Sequence, residues 1–351
     1  MSDEAYLDAL ERLRGSGPEF RGFLSNHGPM AADALVTLGA DDEVAGWVER
    51  YRSKLEDEPG RLGRIEDWRA ALGDLRRVSD WTALFQAELA DRPWREVLAT
   101  WWPRLLPGVV AGATHGVIRT AHAVRGLERV GPAAEPDPLK VDELAHGLAY
   151  WAARYQEIPG HPALRGSLGA ADALAALPRL DPDVPNEGPG IIGRVAAVRP
   201  DRAPGLVAAL DAYRPEPTPD TTLSALTAAA AEVYLARPAS PIAFVHSVTA
   251  PAAIRMVLPH LPPDQVEPTL SRAWQLVAGL VVAFAPGPDP APEPEPATDL
   301  PSHAELATRA VEHGDEHAIK FTEACLREHR LTAAPVYLRA AATITHRLPR
   351  D

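Results

Sequence analysis

The chain has 351 residues, of which 46% are hydrophobic, so it can bury a large core. Its net charge of −13 argues against non-specific binding to nucleic acids or to anionic membranes. The single cysteine, Cys325, excludes an internal disulfide framework and cysteine-rich zinc or iron–sulfur sites. The N-terminus is polar, and the longest apolar run, Leu276 to Ala285, is too short to span a bilayer. We therefore expect a cytoplasmic protein.

The first half of the chain shows helical periodicity and almost none of the alternation typical of strands. Pro29 suits the first turn of a helix and Gly39 suits a C-terminal cap. A proline-rich loop is expected over residues 131–139. The predicted helices cover residues 3–15, 29–38, 42–51, 80–90, 93–105, 108–127, 140–156 and 165–178.

The second half begins with an irregular segment rich in proline and glycine, residues 179–220, which holds a short predicted helix at 203–213. Further helices are predicted at 221–237, 240–258, 264–284, from the Ser302/Glu305 capping box to about Arg330, and at 333–347. Residues 286–298 read as a proline-rich loop or linker. The sequence thus predicts an all-α fold of about a dozen helices, with prolines confined to loops, in one domain covering residues 1–351.

A stretch near the C-terminus combines two histidines with a lysine. On a continuous helix, His313, His317 and Lys320 would lie on one face, because residues three and four apart are neighbours. The chain has only three lysines: Lys54 lies in a polar run and Lys140 in a proline-rich loop, whereas Lys320 is flanked by Ile319 and Phe321 and by small residues, which favours its burial. A buried lysine tends to lose its proton, and a neutral amine reacts with carbon dioxide to give an anionic carbamate. The alternative is a lysine that extends from a helix edge to solvent.

Other histidines also lie in apolar surroundings. His27 precedes a helix, His246 lies within one, and His115 and His122 share a helix face with Arg119 between them. Neutral imidazole suits zinc, copper, iron and nickel. Each histidine taken alone can equally be a hydrogen-bonded core residue, and the sequence does not show whether they converge.

One glycine pattern is set aside. Gly188-Pro-Gly-Ile-Ile-Gly193 formally matches a dinucleotide-binding fingerprint, but no strand precedes it and no strands alternate with helices. Direct binding of NADPH is therefore not expected.

At its histidine segments the chain resembles the questin oxidase-like family. The matching segments extend from residue 24 to residue 325, and they are Leu24-Ser-Asn-His27-Gly-Pro-Met30, Leu105-Leu-Pro-Gly108, His115-Gly-Val-Ile-Arg-x-x-His122, Phe244-Val-His246 and His317-x-x-Lys320. The resemblance implies an all-α oxidoreductase that acts on polycyclic aromatic polyketides such as anthraquinones, in some members by opening a quinone ring.

The resemblance also implies a non-haem iron(II) site. Its ligands here would be His27, His115, His246, His317 and a carboxylated Lys320. The choice between His115 and His122 stays open, and a non-ligating His122 would orient a ligand or a substrate oxygen. Arg119 would pair with a substrate phenolate or with a carboxylate, or would form a structural salt bridge.

The function that follows is an iron-dependent oxygenase of the dioxygenase type, which uses O2 to oxidise or cleave a polycyclic quinone. A monooxygenase of the Baeyer–Villiger type fed by an external reductant is one alternative, and a metal-free helical scaffold that binds a polyketide or a protein is another. Six aromatic residues are candidates for a flat pocket or for core packing: Trp101, Trp102, Tyr150, Trp151, Phe244 and Trp274. The sequence leaves the oligomeric state open.

Overall fold

The computed structural model describes residues 2–129, 135–287 and 300–349. Across these residues the chain forms seventeen α-helices and one two-stranded antiparallel hairpin, which confirms the all-α prediction. The chain divides into two compact units, Met1–Glu157 with Met256–Gln265, and Ile158–Arg255 with Val266–Asp351. The expectation of a single domain stays a prediction.

The first unit is built on helices α7, His115–Glu128, and α8, Pro138–Ala153. Their backbones approach closely because Gly116 of α7 has no side chain: a Cβ atom there would lie 2.7 Å from Trp151 Cα on α8. Asp137 caps α8 through the backbone N–H of Leu139. The elements are α1 Ser2–Leu13, β1 Glu19–Phe20, β2 Leu24–Ser25, α2 Gly28–Thr37, α3 Asp41–Arg52, α4 Trp68–Ala71, α5 Val78–Asp91, α6 Trp94–Leu105, α7 His115–Glu128 and α8 Pro138–Ala153.

The second unit holds the remaining helices, apart from residues 256–265. Ser302 and Glu305 form the predicted capping box at the start of α15. The elements are α9 Ala170–Ala175, α10 Gly190–Ala196, α11 Leu206–Asp211, α12 Pro219–Ala236, α13 Pro241–Val257, α14 Pro263–Phe284, α15 His303–His313, α16 Glu316–Thr332 and α17 Pro335–Arg347.

The structure has more helices than predicted, because the segment from Ser302 to about Arg330 forms two helices, α15 and α16, and because α4 and α10, of four and seven residues, were not predicted. Such short helices contain too few turns to show a periodic pattern. The helix predicted over 108–127 begins only at His115, because Gly112, Ala113 and Thr114 all have positive φ. The helix predicted over 165–178 shrinks to α9.

The sequence predicted that His313, His317 and Lys320 share one helix face, and this is wrong for His313. Helix α15 ends at His313, Gly314 caps it with φ of 83°, and Asp315 caps the start of α16. His317 and Lys320 therefore share α16, whereas His313 belongs to the preceding helix. The Gly-Asp pair carries this signal in the sequence, because glycine favours the left-handed C-terminal cap and aspartate the N-terminal cap.

Two proline-rich segments were predicted as loops. Helix α8 begins at Pro138, so the end of the segment 131–139 is helical and Lys140 lies on a helix rather than in a loop. Residues 131–134 of the first segment and residues 288–298 of the second, the predicted loop 286–298, lie outside the part of the chain that the structure describes.

One stretch of the described chain, Pro241–His260, is long and apolar enough to cross a membrane by length and composition, with a mean hydropathy of 1.4. Most of it, 72% of the apolar window, is buried within the protein, as is usual for the core helix of a soluble protein. The stretch Pro241–His260 is longer than the apolar run from Leu276 to Ala285, which the sequence analysis identified as the longest. The cytoplasmic location stays a prediction.

Candidate metal centre

In the first unit, the β1–β2 hairpin and the start of α2 hold His27. Asn26 fixes the connection, because its amide Nδ2 donates to Gly17 O at 2.9 Å and its Oδ1 accepts from Gly28 N at 2.9 Å. The backbone N–H of His27 donates to Tyr51 Oη at 2.8 Å, and its ring Nδ1 donates to Ser25 O at 2.5 Å. His27 is buried. The residue is therefore held by one hydrogen bond at its backbone and by another at its ring.

His115 is the first residue of α7 and follows the turn of three left-handed residues. This conformation is strained for Ala113 and Thr114, since side chains disfavour positive φ. The turn aims Gly112 O at the His115 ring, whose Nδ1 donates to it at 2.6 Å. A Cβ on Gly112 would lie 2.7 Å from the Tyr150 ring, so only glycine fits.

The two imidazoles of the first unit meet. The ring centroids of His27 and His115 lie 4.4 Å apart at an interplanar angle of 82°. Each ring offers one ligating nitrogen, and these nitrogens are within 4.8 Å of each other.

The second unit contains an equivalent pair. His246 on α13 and His317 on α16 have ring centroids 5.8 Å apart, with ligating nitrogens within 4.8 Å of each other. His246 Nδ1 donates to Ile242 O at 2.7 Å, and His317 Nδ1 lies 3.5 Å from Asp315 Oδ1. Burial, and then the nearby charges of His317 and Lys320, hold the pKa of His246 well below its usual 6.5. His246 is therefore neutral, which is the form that binds metals.

Lys320 lies one turn after His317 on α16 and is only 4% exposed. Burial lowers its pKa from 10.5 to about 7, although the carboxylates of Glu316 and Asp315 act in the opposite direction. The sequence suggested that Lys320 alone is buried, and this is wrong. Lys140 is fully buried as well, but its ammonium group contacts the Asp3 carboxylate. The two lysines differ in partners rather than in burial.

Three of the four histidines present the same nitrogen to the backbone. His27, His115 and His246 each place Nδ1 against a main-chain carbonyl oxygen, which can only accept a hydrogen bond. Nδ1 must therefore carry the proton, so Nε2 carries the lone pair. This is the arrangement by which backbone carbonyls orient metal-binding histidines. The residues present thus fit a metal ion that prefers imidazole nitrogen, such as iron or zinc.

His122 does not join His115. Its Nδ1 donates to Asp33 Oδ2 at 2.6 Å, within a buried cluster that also contains Arg125 and Arg129. Seven residues of α-helix place His122 about 10 Å along α7 from His115. The structure thus puts His115 with His27, and His122 with the Asp33 cluster.

Arg119 forms a buried, bidentate ion pair with Glu143, with N–O distances of 2.6 and 2.8 Å. This is the structural salt bridge that the sequence left open as one of its alternatives. The six aromatic candidates are all buried at 2% exposure or less, as core residues are. Trp151 Nε1, for example, donates to Gly108 O, and Trp274 Nε1 donates to Leu210 O.

Sequence reasoning did not recognise the residues that hold the histidines: it gave no role to Asp33 or Asp315, and it named Tyr150 only as a candidate for a pocket or for core packing. Asp33 clamps α7 to α2, and Tyr150 contacts both Ser25 and Gly112. The role of Asp315 as the N-terminal cap of α16 was not recognised, because His313 and His317 were placed on one continuous helix. The Gly314–Asp315 cap was the one local signal that could have revealed it.

These features define an all-α protein with two histidine pairs, three of whose four members are buried, that can bind a metal ion. The chain belongs to the questin oxidase-like family, whose model matches residues 24–325. This confirms the resemblance, and membership of the family implies an oxidoreductase. No curated protein matches the chain.

Proposed function

We propose that the chain is a non-haem iron oxygenase in which His27, His115, His246, His317 and a carboxylated Lys320 hold one iron(II) ion. The observation that carries this proposal is the shared orientation of three imidazoles, each with Nδ1 donating to a main-chain carbonyl. Core histidines have no common need for that tautomer, whereas ligands that bind through Nε2 do. Two imidazoles make a weak site, so one ion shared by both pairs is favoured over one ion per pair.

Lys320 supplies the oxygen ligand in this proposal. Its amine is buried beside His317 on α16, and a neutral amine is the form that reacts with carbon dioxide. The carbamate would add a negative charge near the carboxylates of Asp315 and Glu316. That arrangement is favourable only when a cation is also bound, so carbamate and metal should bind together.

The residues of the chain orient and protect the centre. The carbonyls of Ser25, Gly112 and Ile242 fix three imidazoles, and Asp315 faces the fourth. His27, His115, His246 and Lys320 are buried, which keeps bulk water away from these side chains. Bound iron would supply one-electron and dioxygen chemistry. The proposed reaction is a dioxygenase-type oxidation or ring cleavage of a polycyclic quinone, following the family's activity on anthraquinones.

Metal analysis tests the shared site. Purified protein is reconstituted with iron(II) without oxygen, and iron is counted per chain in the wild type, His27→Ala and His246→Ala, with His146→Ala as the control. His146 contacts Asp142 and belongs to neither pair. We expect one iron per chain, lost in both pair variants and kept in the control. Iron that persists undiminished in either pair variant would refute a shared site.

Oxygen consumption with a hydroxylated anthraquinone separates the possible reactions. A dioxygenase consumes oxygen with substrate alone. A monooxygenase depends on added reduced nicotinamide and a reductase, and dependence on them would overturn the dioxygenase assignment. A metal-free scaffold shows neither iron nor oxygen consumption.

A further inference from the structure

A series of contacts leads from the partly buried Arg154–Glu19 ion pair, through Tyr150 and Ser25, to the His27 ring. Arg154 Nε donates to Glu19 Oε1 at 2.6 Å, and Tyr150 Oη donates to the same oxygen at 2.8 Å. The one proton of the phenol is thereby committed to the carboxylate, so the Ser25 hydroxyl must donate to Tyr150 Oη, at 2.7 Å. Ser25 in turn offers its carbonyl oxygen to His27 Nδ1.

The hairpin gives this series of contacts a fixed frame. Glu19 and Ser25 are directly opposite each other in the β1–β2 pairing, and the Tyr150 hydroxyl bonds to both. Burial, followed by the Glu19 carboxylate, raises the pKa of Tyr150, so the phenol stays protonated and keeps its role as a donor. The result is a triangle of side chains from β1, β2 and α8, all buried.

The same tyrosine supports the second histidine of the first unit. A Cβ on Gly112 would lie 2.7 Å from both the hydroxyl oxygen and a ring carbon of Tyr150, so the ring packs directly on the left-handed turn. The carbonyl of Gly112 is the acceptor for His115 Nδ1. Tyr150 therefore touches both residues whose carbonyls hold the His27–His115 pair: it reaches Ser25 through its hydroxyl, and Gly112 through its ring and hydroxyl.

We propose that Tyr150 is a positioning residue that sets the tautomer and orientation of His27 through Ser25, and of His115 through Gly112. The inference rests on the proposed function, because it takes the His27–His115 pair as metal ligands. Outer residues of this kind change metal affinity by about 10- to 100-fold when removed, since ligands that lose their preset orientation must be ordered on binding.

The test determines the tautomers of the His27 and His115 imidazoles by NMR in metal-free protein. Histidine is labelled with 15N, and long-range 1H–15N spectra distinguish rings protonated at Nδ1 from rings protonated at Nε2. Tyr150→Phe removes the hydroxyl and keeps the ring, so we expect His27 to lose its uniform Nδ1–H tautomer while His115 keeps it. Gly112→Ala should do the reverse, because the added methyl group displaces the turn. Ser25→Ala removes the hydroxyl that ties the residue bearing the carbonyl acceptor to Tyr150, so it should reproduce the His27 change.

The control is Tyr337→Phe. Tyr337 is also buried and shares a hydrogen bond of 2.7 Å with Thr227, but it lies on α17 in the second unit. The Tyr337→Phe substitution removes a comparable hydroxyl and should leave the tautomers of His27 and His115 unchanged.

Zinc, which is redox-silent, serves as the metal probe in the second arm. We expect its affinity to fall about 10- to 100-fold in Tyr150→Phe and to stay within twofold in Tyr337→Phe. An unchanged His27 tautomer in folded Tyr150→Phe and in Ser25→Ala would overturn the inference. A wild type that binds no iron would refute the proposed function, and the tautomer spectra would still decide whether Tyr150 positions the pair.

Discussion

Replacing Lys320 with methionine should stabilise the metal-free protein. Methionine is similar in length and carries no charge, so it fills the same buried space without the cost of dehydrating an ammonium group. Lys320 is 4% exposed, and burial lowers its pKa from 10.5 to about 7. A lysine pKa that is lower in the folded state than in the unfolded state means that the charged amine opposes folding.

The size of the effect follows from the two pKa values. The penalty is complete below pH 7, where it amounts to about 5 kcal/mol, since one pKa unit corresponds to about 1.4 kcal/mol. It falls to about 4 kcal/mol at pH 7 and about 2 kcal/mol at pH 9, and it disappears above pH 10.5. Lys320→Met should therefore raise the free energy of unfolding at neutral pH, and the gain should shrink as the pH rises.

Urea unfolding followed by circular dichroism measures this gain. Wild type and Lys320→Met are compared at several pH values between 6 and 9.5, with a chelator present and carbon dioxide removed, so that neither metal nor carbamate contributes. Lys140→Met is the matched control, because Lys140 is equally buried but contacts the partly exposed Asp3. That variant removes a favourable contact and should be no more stable than wild type.

A Lys320→Met protein that is no more stable than wild type at pH 7 would show that the amine is not desolvated in solution. A gain that does not change with pH would refute the reasoning as well, because it would come from packing rather than from charge.

Three further changes test other parts of the structure. Asp33→Asn leaves the guanidinium groups of Arg125 and Arg129 without their buried carboxylate and should lower the free energy of unfolding by about 3–5 kcal/mol, measured by urea unfolding. Gly116→Ala places a methyl group 2.7 Å from Trp151 Cα and should lower the thermal midpoint, with a cost of about 1–3 kcal/mol. Added bicarbonate should tighten zinc or iron binding by the wild type and have no effect on Lys320→Met, as titration calorimetry can show.

Each of these has its own control. Asp8→Asn removes an exposed partner of Arg12 and should change the free energy of unfolding little. Equal losses in Asp8→Asn and Asp33→Asn would argue against a buried carboxylate at Asp33. Gly46→Ala lies within α3 with only the Arg50 side chain nearby, at 3.5 Å, and should be neutral or stabilising. Bicarbonate that acts equally on wild type and Lys320→Met would exclude a carbamate at Lys320.

Local signals in the sequence were sufficient for most of the helices, although not for the short α4 and α10 or for the start of α7 at His115. The Ser302–Glu305 capping box and the start of α2 at Pro29 depend on residues a few positions apart, and the structure has both. The histidines in their apolar segments were recognisable as candidate ligands, and the order of the segments indicated the family that the chain belongs to. The Gly314–Asp315 pair, which separates α15 from α16, was also a recognisable signal in the sequence, but the break was not predicted.

Only the tertiary structure separated His115 from His122. Both histidines lie on one face of α7, and their local sequences do not distinguish them. His122 meets Asp33, which is 89 residues away, whereas His115 meets His27. The burial of Lys140 beside Asp3 was hidden for the same reason, since the two residues are 137 positions apart.

The support of His27 was likewise decided by packing. Tyr150 reaches Glu19 across 131 residues, and this contact exists only because α8 packs against the β1–β2 hairpin. A cap or a helix period is fixed by interactions within one or two turns, so the sequence determines it directly. The tautomer of an imidazole is fixed by which distant carbonyl or carboxylate lies beside it, and that depends on how the helices assemble.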